Sequence, residues 1–180
     1  MKHLSKAFRV WIPLAVLATL LAGLVYASVQ YSLRSGADDP QIQIAEDAAY
    51  GLEKGVRPSF VLPPYNVEIS RSLAPYVIIF NSKGDYLASS ATLDGKPPLL
   101  PVGVFTHAQN KGIHKVTWQP RPGVRSAVVI VPFKGRDNGF VVAGRSLTEV
   151  EKREDREIFI VGLSWAVTLI VTLAAVLVVV

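Results

Sequence analysis

The sequence predicts an α+β protein: one antiparallel sheet of about five strands, preceded by a helix and held between two membrane-spanning helices. Three observations predict it. Residues 10–33 and 158–180 carry no charge, and each run exceeds the roughly 18 apolar residues that let a helix cross a bilayer core of about 30 Å. Between them lie five runs rich in β-branched and aromatic residues, separated by Gly, Pro, Asn and Asp. All but one of the connections are short, which favours antiparallel neighbours.

Residues 1–9 form a tail bearing Lys2, Lys6 and Arg9. The positive-inside rule puts this tail in the cytoplasm and Tyr31 to Glu157 outside. The first span, 10–33, has a rival reading as a cleaved signal peptide, because Val25-Tyr26-Ala27 has the small-x-small form of a cleavage site. The charge-free run continues past that site to Leu33, which favours an uncleaved anchor; the outer location is the same either way.

The outer domain is expected to occupy 34–146. Ser35-Gly36-Ala37-Asp38-Asp39-Pro40 reads as a break, with Asp39 as N-cap and Pro40 at the first position of a second helix that ends at Gly55. Ile42, Ala45, Ala49 and Leu52 fall on one face of it. Arg57 to Pro75 is a Pro-rich connector with a short strand at Val67 to Ile69. Tyr76–Phe80 and Tyr86–Ser90 form a hairpin through Asn81-Ser82-Lys83-Gly84-Asp85. Ala91 to Gly112 is expected to be a long irregular loop. Ile113–Gln119, Val124–Phe133 and Phe140–Ser146 complete the sheet as a meander. Ser146-Leu147-Thr148-Glu149 has the form of a capping box, and Glu149 with Arg153 is an i,i+4 pair. A charged juxtamembrane helix, 147–157, therefore starts where the last strand stops. With no Gly or Pro between Arg145 and Gly162, it continues into the second span, 158–180.

The net charge of +5 does not mark a nucleic-acid binder. Lys2, Lys6 and Arg9 apart, sixteen cations face fourteen acids, a balanced surface. The chain has no cysteine, so the domain does without disulfides. Catalysis finds no foothold: there is no Gly-x-Ser-x-Gly elbow, no phosphate loop and no placeable carboxylate pair. His107 and His114 without a cysteine or a spaced carboxylate make no zinc site. No metal or cofactor is expected, and the chain reads as a non-enzyme. A small-molecule pocket is the better candidate. His114 shares a strand face with Val116 and Trp118; Arg125 alternates with Ala127, Val129, Val131 and Phe133; Arg145 accompanies Val141 and Ala143. A cation on an apolar strand face is costly to bury without an anion, so His107, His114, Trp118, Arg125 and Arg145 are the candidate ligand-binding residues, with His107 in a loop that covers them.

The runs YVIIFNSKGDYLASSATLDG (76–95) and AVVIVPFKGRDNGFVVAGRSLTEVEKRE (127–154) resemble the strand-turn-strand and the closing strands and exit helix of extracytoplasmic PAS-like sensor domains of the Cache or PDC type, as found in bacterial sensor histidine kinases. The resemblance covers about 105 residues and rests on shapes, not catalytic signatures. It implies a sheet that binds a small molecule and reports through the second span, with Ser146, Glu149 and Arg153 on the transmitting helix, in a two-pass protein of the bacterial inner membrane surrounded by lipid. It further implies a homodimer, whose spans would pack through Gly162, Ser164, Ala166 and Ala174-Ala175, and a cytoplasmic kinase or other output partner. Two departures stand out: the break at 36–40, and the lack of linker and kinase modules in these 180 residues, which suggests a fragment, a truncated product or a module acting through a partner. The rivals are an envelope scaffold whose outer domain docks a protein, and a membrane-anchored enzyme with an unrecognised site.

Overall fold

The structure, a computed structural model, describes residues 2–179, without the side chains of 2–5, Arg34 and Ala37. Lys2, one of the expected tail cations, thus has its side chain outside the described set. The chain divides into two compact units, Ser35–Val150 and the pair of segments Met1–Arg34 and Glu151–Val180.

In the first unit, strands β2 (Tyr76–Asn81), β3 (Tyr86–Ser89), β5 (His114–Arg121), β6 (Val124–Phe133) and β7 (Gly139–Ser146) form a five-stranded antiparallel sheet in the order β3-β2-β7-β6-β5. A second, two-stranded parallel sheet joins β1 (Val67–Glu68) to β4 (Ala91–Thr92). The five strands are those the sequence predicts, to within two residues at each end. Cross-strand partners such as Val77 with Ala143, Val129 with Ala143, and His114 with Ile130 have the same parity. Even-numbered residues of β2, β6, β7 and, as far as Trp118, of β5 therefore face one side and odd-numbered residues the other; past Trp118 a bulge sets Arg121 opposite Val124.

The odd face is covered by the end of helix α1 (Lys2–Glu53). Ala45, Ala48, Ala49 and Leu52 pack on Val77, Ile79, Val129, Val131, Phe133, Val141 and Ala143. The helix stops where expected. Gly55 at φ 83° donates to Leu52 O at 3.0 Å and Val56 to Gly51 O at 3.0 Å, a Schellman closure that needs the left-handed region open to glycine. The even face is covered by helix α2 (Val102–Lys111) and the segments around β1 and β4: Phe105, Ala108, Leu100, Val67, Ile69 and Ala91 pack on Tyr76, Ile78, Phe80, Trp118, Val128, Ile130, Phe140 and Val142.

Two expectations are corrected. The break at residues 35–40 is absent, since α1 is one helix from Lys2 to Glu53. Pro40 removes one donor and crowds the carbonyl four residues back, at a cost of about 3 kcal/mol; that residue is Gly36, with open space around it. The helical segments on either side propagate across this single fault. The loop 91–112 is not irregular: it holds β4 and α2. Its helix is built from Val, Thr and Gly as much as from good helix formers, and the burial of Phe105 and Ala108, three apart, outweighs that weak propensity.

In the second unit, α1 and helix α3 (Thr148–Val179) each include a stretch long and apolar enough to cross a membrane. Within this unit they run antiparallel and are clasped twice. The Trp11 indole donates to Leu169 O at 3.3 Å and Thr172 Oγ1 at 3.2 Å, and the Trp165 indole donates to Thr19 Oγ1 at 3.0 Å. Indole N–H groups seek partners when withdrawn from water. By this register Tyr26 lies near Ile158, so the last third of the charge-free run of α1 stands beside the charged turns of α3.

Candidate functional site

The face bearing His114 and Trp118 is built by α2. Phe105 inserts between Phe80 and Phe140, with ring centroids at 4.9 and 5.1 Å, within the range of favourable aromatic pairs. Ala108, fully buried, lets the helix backbone approach the sheet. The helix ends at Gly112, whose N–H donates to Ala108 O at 2.8 Å, and β5 begins two residues later. His107 is carried onto His114: the ring centroids are 4.1 Å apart, with planes tilted by 39°. His114 is half-buried and His107 exposed. Burial, and then the neighbouring His107, lower the pKa of His114 below its ordinary 6.5.

The five candidate ligand residues do not surround one pocket. His107, His114 and Trp118 belong to the even face, whereas Arg125 and Arg145 are odd-numbered and lie, exposed, on the α1 side. Trp118 pairs with Ser126, so Arg125 must point away from it; each strand's alternation is as expected, but their relative phase separates the cations from the histidines. The segment expected to cover a pocket instead fills it, since Leu100, Phe105 and Ala108 are core residues.

Of the three expected transmitting residues, Glu149 and Arg153 lie in the first turns of α3, whereas Ser146 is the last residue of β7, its backbone still paired with Ser126. The Ser146 hydroxyl accepts from the Thr148 N–H at 3.3 Å and shares a 2.9 Å hydrogen bond with Thr148 Oγ1. Glu149 is half-buried in the first turn, and Arg153 is exposed one turn on.

Three features escaped the sequence. A groove of about 360 Å³ is lined by Ile44, Asp47, Ala48, Val61, Leu62, Pro63 and Val77, within the usual range for small-molecule sites. Its wall stands close to α1 because residue 51 is glycine: a Cβ there would lie 2.9 Å from Val61 Cγ1. The groove is apolar apart from the exposed carboxylate of Asp47. Ile44 and Ala48, four apart and followed by an apolar Val61-Leu62-Pro63, were its only sequence signal. On the same α1 face, Asp38 has its pKa raised above 3.8 by burial, with Lys115 pulling the other way, and Gln41 is buried with Oε1 unpartnered among the described residues. On the even face, Tyr76 and Ser126 bury hydroxyls that close no bond of normal geometry. Burial pushes the Tyr76 phenol up to about 12, against a smaller opposing pull from Ser126. The ring lies over Gly144, where a Cβ would fall 2.3 Å from its Cζ. Among the described residues no group of three or more metal-ligating side chains converges.

Comparison with protein-family models and with curated proteins finds no match.

Proposed function

We propose that the chain is the extracytoplasmic input part of a two-pass bacterial membrane signalling protein, with a PAS-like outer domain of the Cache type that binds a small molecule and transmits through α3. One observation supports this most. The strand β7, third in a sheet of five and paired with both β2 and β6, is followed after Leu147 alone by a helix that runs unbroken from Thr148 to Val179. A change in the position of the most embedded strand passes directly into the helix. Within this reading the Ile44–Val77 groove, and not the histidine face, is the ligand site, and its occupant is apolar with a cationic end for Asp47. A ligand transmits only through its difference in affinity for two states, typically about 1 to 3 kcal/mol of coupling. A histidine kinase as the output and a homodimer as the working form belong to the same reading.

The test is a Gly-Pro pair inserted between Glu151 and Lys152 of the chain in its native cell, with gene expression followed as external conditions change. The reading expects the response to vanish while the thermal transition of the outer domain stays in place. A retained response contradicts it.

The scaffold reading has one observation in its favour, the filled even face with Phe105 wedged between Phe80 and Phe140. Ala48→Leu, which fills the groove, separates the two: it abolishes small-molecule stabilisation in a thermal-shift screen under the first reading and changes nothing under the second.

A further inference from the structure

We infer that the His107–His114 contact is an acid-sensitive latch that holds the C-terminal end of α2 against the edge strand β5 and lets it go when both rings are protonated. The contact joins two separate elements, and β5 is bonded to the sheet on one side only, through β6. Two imidazoles 4.1 Å apart and tilted by 39° take up a second proton less readily while docked than when apart, because like charges at this separation repel by about 1 kcal/mol even near water.

The charge around the pair makes this sharper. Neither α2, β5 nor β6 contains an Asp or Glu. From α2 the nearby charged group is Lys111, one turn beyond His107. From β5 the even face presents Val116 and Trp118 and, past a bulge, Arg121 opposite Val124, while Lys115 points to the other side, where it acts on Asp38. From β6 the even face presents Val124, Ser126, Val128, Ile130 and Pro132, and Arg125 points away. Three acids near these elements are engaged: Asp94 pairs with Arg121 at the far end of β5 at 2.6 Å, Glu68 accepts from Ser70 Oγ at 2.8 Å, and Asp85 accepts from Asn81 Nδ2 at 3.0 Å in the turn beside Phe105. Protons arriving at the pair find cations and apolar groups on these elements.

The sign follows from the direction of the His114 shift. Its docked pKa is lowered from 6.5, so the neutral ring favours the docked helix; the latch is fully effective above about 6.5 and fails as pH falls below that value. Phe105 stays anchored between Phe80 and Phe140, so the release is confined to residues 107–112.

The test is amide hydrogen exchange of residues 107–113 in the full chain in detergent micelles, at pH 7.5 and 5.0 after correction for intrinsic exchange rates. Protection is expected to fall about five- to tenfold at pH 5.0. His114→Phe, which keeps a stacking ring without a charge, is expected to remove the pH dependence, and His107→Phe to reduce it, since burial still lowers the pKa of His114 in that variant. Equal corrected protection at the two pH values in the wild-type chain overturns the latch, as does a fall that persists undiminished in His107→Phe or at all in His114→Phe. The readout concerns the outer domain alone, so it stands or falls independently of the signalling reading.

Discussion

The two faces of the central sheet are covered in opposite ways. On the odd face a helix presents Ala45, Ala48 and Ala49 to a bed of Val, Ile and Ala with Phe133 at its end, so backbones approach closely and the contact is shallow and repetitive. On the even face Tyr76, Phe80, Phe105, Trp118 and Phe140 form a thick aromatic layer, and here the polar irregularities collect: the paired histidines and the buried hydroxyls of Tyr76 and Ser126. Small residues make a joint that shifts as a unit, because packed interiors do not deform gradually. The aromatic face rests on a few large anchors and has a rim, at His107 and His114, that can open while the anchors hold.

Substitutions on the aromatic face are therefore the ones that break this contrast most severely. Phe105→Ala is expected to cost about 3 to 5 kcal/mol, read as a lowered midpoint in denaturant for the full chain in micelles. Gly144→Ala, which forces a methyl group into the Tyr76 ring, is expected to cost about 1 to 3 kcal/mol.

Tyr76→Phe sharpens the comparison differently. It removes a hydroxyl that closes no normal bond, so at neutral pH the change is expected to stay within about 1 kcal/mol. The phenol stands at about 12 when folded against an ordinary 10.0; a raised acid pKa means the neutral form is favoured by folding. Its contribution is complete below pH 10 and is lost as pH rises above 10 towards 12. The wild-type chain should lose stability over that alkaline range more steeply than Tyr76→Phe, measured as denaturant midpoints. The smallest effect belongs to Arg121→Ala. Its 2.6 Å pair with Asp94 is exposed on both sides, and such pairs contribute about 0 to 1 kcal/mol.

The sheet was legible because strand alternation is a local property: Val124 to Phe133 declares both its span and its two faces. The site was much less so. Placing Arg125 beside His114 required the phase between strands, and that phase is fixed by pairings such as Trp118 with Ser126, which no single strand contains. The helix α2 was hidden because its residues prefer it only weakly, and it forms once Phe105 has Phe80 and Phe140 to enter. Pro40 misled in the other direction, since a local breaker is overruled when long helical segments flank it. The His107–His114 contact joins residues only seven apart, yet the turn at Gly112 that brings them together follows a helix the sequence concealed.

The central claim is that the sheet domain stands outside a bilayer crossed by the apolar stretches of α1 and α3. The chain contains no cysteine, so a single introduced thiol is unique, and labelling of intact cells with a membrane-impermeant maleimide tests the claim most directly. Cysteines at Ser82, Lys111 and Asp137 are expected to react from outside, one at Lys6 only after permeabilisation, and those at Leu163 and Ile170 slowly in either case. Reaction of Ser82 and Lys6 from the same side, or rapid reaction at Leu163, would contradict the account.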